Sequence, residues 1–450
     1  MFKTTLLALS VASAALAPAA YAAETVDQKS TCLSMADINK AEQCLHASGQ
    51  TFAKISSDQK GNRSVVNQPA SISGDYAGYL KGDINNLNSP LLQRALQNDG
   101  KGLKVKVSSV DPKTQSYDVT LTAKDYDKKP YQGAVLVSNL GPDFSGREIA
   151  SWYNRESLGH GMALTTSFTH GFPNVRSDSE GGKYENAYLD LEKVTTLGLF
   201  EAQYLYSDNK SGGPSKIYDL AGTTNRYSLS FTHWLTNNIS LRHQISYTDR
   251  DQDFGAYSIS EHQHYTTYRP TLAYDNGNFS SSLRLTKGLG GDRDFDLIPL
   301  MGTFNPHFWS SQLDGGYKFD IGGGVVVNTH GSMFKGSVDM PSSERFGLGG
   351  RGAGSSHESG LYSGYKGYSY EFEFNRALAN LDGVIVAGEA GLNGSGVTTA
   401  TGEDLAVDAF KTGLNFGYQT VSLETFWSKS INTRNLDNDS RFSAELIWRY

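Results

Sequence analysis

The sequence predicts an all-β transmembrane β-barrel of about sixteen antiparallel strands, preceded by a small α+β domain. Three features of the chain indicate this fold. Between residues 131 and 450, apolar and aromatic residues alternate with polar ones, short and long connections alternate, and the last segment ends on an aromatic residue. The composition agrees, because 11% of the residues are aromatic and 48 are glycine.

The alternation is clearest at residues 368–375, where aromatic residues occupy one face of a predicted strand and polar residues the other. Successive side chains of a strand point to opposite faces, so each strand has an apolar face and a polar face. In a soluble sandwich the polar face meets water, whereas in a membrane barrel it lines the lumen. The alternation alone leaves both folds open.

The connections between the predicted strands favour the membrane barrel. Those after even-numbered strands are short, and one of them is Asn276-Gly277, a strong signal for a tight hairpin. Short turns on one rim and long loops on the other are the layout of outer-membrane barrels. The long connections after odd-numbered strands are 171–182, 209–223, 250–261, 289–305 and 337–364.

Residues 1–22 have the pattern of a secretory signal peptide, which is removed from the mature protein. Lys3 supplies the positive charge, residues 6–17 the apolar core and Ala20-Tyr21-Ala22 the cleavage site. The apolar run is shorter than the ~20 residues that a spanning helix needs. We therefore expect export to the outer membrane of a Gram-negative bacterium, with the N-terminal domain in the periplasm and the long loops outside.

Three segments are predicted between the signal peptide and the barrel at 131–450. They are a helix at 33–48, a polar linker at 49–71 and an α+β domain at 72–127. Within that domain Ser89 is a candidate N-cap of a helix, and two alternating stretches after the helix predict a hairpin.

Cys32 and Cys44 are the two cysteines of the chain. An oxidising periplasm permits a disulfide between them. An unbroken helix would hold them ~18 Å apart at ~1.5 Å per residue, so pairing requires Cys32 to lie off the helix end. The sequence leaves this pairing open.

The sequence argues against several functional classes. A formal net charge of −7 disfavours a nucleic-acid partner, which selects for a basic surface. Gly347, Gly349 and Gly352 match G-x-G-x-x-G, but no strand–helix unit surrounds them. His262 and His264 would share a strand face, but the sequence shows no third metal ligand beside them. We expect no enzymatic activity, no cofactor and no metal.

The predicted barrel is wide enough for an aqueous channel, so a diffusion porin and a transporter of larger cargo are both open. A domain in front of the barrel favours the transporter. Charges of both signs on the predicted lumen wall suit an unfolded polypeptide better than an ion-selective pore, although solvated wall residues are the simpler alternative. These residues are Arg242, Arg284, Glu371, Glu373, Glu445 and Arg449.

Three stretches of the chain carry a family resemblance. Residues 84–110 resemble a helix followed by a hairpin of a POTRA domain, residues 135–164 the first two barrel strands, and residues 344–376 a long sixth loop with its following strand. Together they resemble the two-partner secretion transporters of the hemolysin secretion/activation type, within the polypeptide-transport barrels. The resemblance implies a POTRA-like domain at 72–127, a plug helix at 33–48 and a secreted partner polypeptide.

The resemblance also implies a latch between the long loop and the lumen wall. In that family an Arg-Gly-aromatic motif at the loop tip meets an acidic residue on the thirteenth strand. Arg351 and Gly352 match this motif, Ala353 replaces the aromatic residue, and Glu389 is the expected acidic partner. A charge-assisted pair of this kind can hold a long loop in one place. A surface arginine on a flexible glycine-rich loop is the alternative.

We therefore expect a monomeric outer-membrane transporter, surrounded by lipid, that secretes a partner polypeptide to the cell surface or medium. Its POTRA-like domain docks the cargo, and its loop 337–364 folds into the lumen. The alternative is an outer-membrane channel or porin for small solutes or short peptides.

Overall fold

A computed structural model gives the fold of this chain. The predicted signal peptide at 1–22 lies outside the residues that the structure describes. The described residues are 32, 34–35, 37–47, 54–57, 63–66, 71–80, 87, 89–107, 118–125, 131–141, 146–175, 180–294, 304–360 and 362–450. They group into two units, residues 1–96 with 101–126 and residues 97–100 with 127–450.

The first unit opens with helix α1 (Ile38–Ala47), which is shorter than the helix predicted at 33–48. Asp37 caps α1, because its Oδ1 accepts a hydrogen bond from the backbone N of Asn39 at 2.8 Å. Cys32 lies outside α1 and is bonded to Cys44, with the Cα atoms 5.5 Å apart. The structure therefore forms the disulfide that the sequence left open, and Cys32 lies off the helix end as the pairing requires.

A two-stranded antiparallel sheet, β1 (Lys54–Ser57) and β2 (Arg63–Val66), follows α1. Both strands fall within the segment predicted as a polar linker at 49–71, and the other residues of 49–70 lie outside the described part of the chain. Ile55 of β1 packs against the buried Cys32 and Leu45. The alternation pattern missed these strands because each has only four residues.

The rest of this unit contains a three-stranded sheet and most of one α-helix, whose residues 97–99 are grouped with the second unit. Strand β3 pairs in parallel with β5, and β4 pairs antiparallel with β5, which confirms the predicted hairpin. Ser89 is the predicted N-cap of α2, since its Oγ accepts a hydrogen bond from the backbone N of Leu92 at 3.2 Å. The elements are β3 (Ser71–Gly74), a 3-10 turn (Ala77–Leu80), α2 (Pro90–Asp99), β4 (Lys101–Val107) and β5 (Asp118–Asp125).

The second unit is a closed antiparallel barrel of sixteen strands, as the sequence predicts. Each strand pairs with its neighbour in the chain, and the last pairs with the first. The first eleven are β6 (Tyr131–Ser138), β7 (Ile149–Gly159), β8 (Met162–Gly171), β9 (Lys183–Val194), β10 (Leu199–Lys210), β11 (Leu220–Trp234), β12 (Ile239–Phe254), β13 (Ile259–Asp275), β14 (Phe279–Asp294), β15 (Trp309–Asp320) and β16 (Val325–Gly336).

A short two-stranded sheet, β17 (Phe346–Leu348) and β18 (Tyr362–Gly364), lies within the connection between the eleventh and twelfth barrel strands. We call residues 337–365 the long loop. The last five barrel strands follow it, and they are β19 (Lys366–Leu381), β20 (Val384–Thr398), β21 (Asp404–Tyr418), β22 (Val421–Arg434) and β23 (Ser440–Arg449).

The connections are short on one rim and mostly longer on the other, as predicted. We call these the short-turn rim and the long-loop rim. Strands β12 and β14 extend to Phe254 and Asp294, so the connections predicted at 250–261 and 289–305 are shorter in the structure. Beyond the hydrocarbon layer a strand needs no apolar face, and the alternation therefore stops before the strand does.

The two faces of the barrel wall have opposite character. On β11, Tyr227 and Leu229 are exposed on the outer face, whereas Ser228 and Ser230 are buried on the luminal face. This is the inverted arrangement of a membrane barrel. Among the described helices, none is long and apolar enough to cross a membrane.

Candidate functional site

The long loop packs against side chains that face the lumen. Leu348 of β17 is fully buried in an apolar cluster with Val397 of β20 and Leu405 and Val407 of β21. Val397 and Leu405 are cross-strand partners on the polar, inward side of the wall. The loop thus covers an apolar patch inside the barrel.

Asn393 on β20 holds the tip of the long loop. Its Oδ1 accepts hydrogen bonds from the backbone N of Gly354 at 2.9 Å and of Ser355 at 2.8 Å. Its Nδ2 donates to Ser355 Oγ at 3.0 Å. On β22, Ser428 Oγ donates to the carbonyl of Ser355 at 2.7 Å. These bonds seat the tip on strands thirteen and fifteen.

Arg351 lies at this tip, but its partners differ from the predicted one. It forms an ion pair with Glu424 on β22, and its Nη1 is 3.8 Å from Glu445 Oε1 on β23. The guanidinium also lies 5.7 Å from the ring centre of Phe426. Its side chain is 40% exposed, so water screens these charges in part.

Glu389, the predicted partner, is buried beside Lys411 instead. Lys411 Nζ lies 3.9 Å from Glu389 Oε1, 3.4 Å from Glu371 Oε1 and in contact with Glu373. Asn415 Nδ2 donates to Glu389 Oε2 at 3.3 Å. In this structure Arg351 thus pairs with Glu424 and Glu389 lies beside Lys411, and the latch between Arg351 and Glu389 stays a prediction from the resemblance.

Gly352 of the long loop lies close to the carboxylate of Glu371, one of the three glutamates around Lys411. Its φ is +79°, which L-residues rarely adopt, and an added Cβ would lie 2.9 Å from Glu371 Oε2. A glycine at this position therefore fits both the backbone conformation and the space between loop and wall.

Sequence reasoning missed Glu344, which ties the start of the long loop to the opposite part of the wall. Its Oε1 accepts hydrogen bonds from Arg226 Nη2 on β11 at 2.9 Å and from Tyr265 Oη on β13 at 3.1 Å. Its Oε2 pairs with Arg269, also on β13. The Glu344 side chain is only 7% exposed. The sequence could have predicted an ion pair here. Alternation places Arg226 and Arg269 on luminal faces, and the loop contains few acidic residues that could pair with them.

The remaining predicted wall residues lie on the polar face without contacting the loop tip. Arg242 pairs with Glu201 at 3.2 Å, and Arg449 Nη1 donates to Ser422 Oγ at 3.1 Å. Arg284 is paired in register with Thr271 and Gln312.

Comparisons with known proteins bear on this arrangement. No family model and no curated protein sequence matches the chain. Among solved structures, CdiB from Escherichia coli is 14% identical with a TM-score of 0.71, covering 95% of this chain and 88% of that chain. CdiB from Acinetobacter baumannii is 12% identical with a TM-score of 0.65, covering 92% and 81%.

A third similar structure is BamA from Haemophilus ducreyi lacking POTRA domains 1–3. It is 10% identical with a TM-score of 0.58, and the match covers 92% of each chain. At these identities the likeness concerns the fold. The predicted resemblance to two-partner secretion transporters is confirmed at that level.

Proposed function

We propose that this protein is an outer-membrane transporter that moves a partner polypeptide from the periplasm to the cell surface or medium. The observation that carries the proposal is the fold shared with CdiB along 95% of the chain. That extent includes residues in front of the barrel, which a simple diffusion barrel does not need.

The long loop is the element that would have to move during transport. Leu348, Asn393 and Glu344 hold it by apolar, hydrogen-bond and ionic contacts on different strands. Arg351 adds a partly exposed ion pair with Glu424. Release of these contacts would free the lumen, where wall charges of both signs can meet an extended chain of varied sequence.

The α/β unit in front of the barrel would dock the cargo. In its described sheet, the order β3-β5-β4 leaves β3 and β4 as edge strands. An extended polypeptide can join such an edge through main-chain hydrogen bonds. We further propose that α1, braced by the Cys32–Cys44 disulfide, acts as a plug helix.

The test compares the proteins of the medium and the periplasm with and without the gene, by quantitative mass spectrometry. The proposal expects one polypeptide to disappear from the medium and to accumulate or be degraded in the periplasm. Complementation with the wild-type gene should restore it. An unchanged set of secreted proteins would contradict the proposal and favour the channel for small solutes or short peptides, which uptake assays would then examine.

A further inference from the structure

The sequence shows no third metal ligand beside His262 and His264. The pairing of strands β12, β13 and β14 places several carboxylates beside them. His262 on β13 is paired with Asp251 on β12 and with Asp294 on β14. Residues paired directly across antiparallel strands point their side chains to the same face. The three side chains therefore form one row near the long-loop rim.

A second row lies beside the first. His264 is paired with Asp249 on β12 and with Asp292 on β14. Both rows continue the outer face of β12, on which Tyr247 is exposed. Six side chains of the types that bind metals thus share one outer surface of three strands. We call this surface the His-Asp patch.

The distances within the His-Asp patch suit a common ligand. His262 Nδ1 lies 2.8 Å from Asp251 Oδ1 and 3.6 Å from Asp249 Oδ1. Ligands ~2.1 Å from a tetrahedral metal are ~3.4 Å from each other, so small side-chain adjustments would suffice. The rings of His262 and His264 have their centres 5.9 Å apart.

Two further observations favour the binding of a cation at this patch. Asp249 Oδ1 is inaccessible to solvent and accepts no hydrogen bond, which is costly for a carboxylate oxygen. On strands β9 and β10, which pair with each other elsewhere in the barrel, a lysine neutralises the rim carboxylates, since Lys183 Nζ is 2.6 Å from Asp208 and 3.2 Å from Glu185. Among the described residues of the His-Asp patch, histidines rather than a lysine lie beside the carboxylates.

We propose that the His-Asp patch is a binding site for a divalent transition metal such as Zn²⁺. His262, Asp251 and Asp249 form its core, and His264 is an additional nitrogen ligand. Imidazole with carboxylate is a donor set that suits Zn²⁺ better than Ca²⁺ or Mg²⁺, which prefer oxygen ligands alone. A metal can bind His262 Nδ1 only when that nitrogen carries no proton, so a proton present there would pass to water as the metal binds. The site is independent of the proposed transport activity.

The test is isothermal titration of the untagged, full-length protein in detergent with ZnCl₂. We expect saturable binding of Zn²⁺ by the wild type. The double variant H262A/H264A should bind at least about tenfold more weakly, as should D249N/D251N. His170→Ala is the matched control, because His170 also lies beside a rim carboxylate, Glu185, but with Lys183 next to it.

Absence of saturable Zn²⁺ binding by the wild type would overturn the proposal. Unchanged binding by H262A/H264A would overturn it as well, and an equal loss in His170→Ala would show adsorption to rim histidines in general. Heat-modified migration on a gel verifies that each variant is folded. If H262A/H264A does not fold, D249N/D251N decides the question, and its unchanged affinity would refute the site.

Discussion

Glu344 and Arg351 both tie the long loop to the barrel wall, but they do so in different surroundings. Glu344 is almost fully buried and holds two arginines and a tyrosine on β11 and β13. Arg351 is 40% exposed and pairs with Glu424 on β22. Breaking a buried charge pair costs far more than breaking an exposed one. Arg351, the residue that matches the family motif, is therefore expected to hold the loop less strongly than Glu344 does.

The largest effect is expected from Glu344→Gln. The substitution keeps the shape but leaves Arg226 and Arg269 without their buried counter-charge, which costs about 3–5 kcal/mol. The start of the long loop should then detach from strands β11 and β13. Because the lumen would be less obstructed, single-channel conductance in planar lipid bilayers should rise clearly above that of the wild type. Glu403→Gln, an exposed rim carboxylate, is the control. If Glu344→Gln conducts like the wild type, Glu344 does not hold the loop.

Gly352→Ala should have the next largest effect. Its backbone has a φ of +79°, and an added Cβ would lie 2.9 Å from Glu371 Oε2. The strain is worth about 1–3 kcal/mol and should lift the loop tip. Limited proteolysis should cut the loop faster than in the wild type. Gly360→Ala is informative as a control, because Gly360 has a similar φ of +73° but no atom within 4 Å of an added Cβ. Equal cleavage of both variants would assign the effect to the backbone rather than to the contact with the wall.

Arg351→Ala should have a smaller effect than Glu344→Gln. A partly exposed ion pair contributes at most about 1 kcal/mol, so conductance should rise only slightly. The double variant R351A/E424Q should behave like Arg351→Ala, because both changes remove the same interaction. A conductance increase larger than that of Glu344→Gln would reverse the ranking of the two ties.

The smallest effect is expected from Glu389→Gln. Glu389 is not an Arg351 partner in this structure, and Glu371 and Glu373 remain beside Lys411 when it is neutralised. Neither conductance nor the rate of loop proteolysis should change measurably. A phenotype equal to that of Arg351→Ala would instead support the pairing inferred from the family resemblance.

The sequence predicts the barrel well because alternation within a strand is a local property. Residues 368–375 show it without reference to any other segment. The short strands β1 and β2 were missed because four residues are too few for a period of two to stand out. The ends of β12 and β14 were missed because no hydrocarbon layer imposes an apolar face there.

The candidate site was predicted only in part, because its contacts join distant segments. The glycines around Arg351 are visible in the sequence and predict a tightly turning loop segment there. The partners Glu424 and Glu344 depend on how the loop folds back, and no local pattern specifies this. The His-Asp patch depends likewise on the register between three strands.

The pairing of β23 with β6 has a consequence for the order of biogenesis. It joins residues 445–449 to residues 134–138, so the two partners are separated by the rest of the barrel sequence. A ribosome makes β6 long before β23, and until β23 arrives the growing sheet has two unpaired edges that attract other strands. The nascent chain therefore needs protection from aggregation throughout its synthesis and export, and a truncation before residue 440 should leave a species that is degraded rather than inserted.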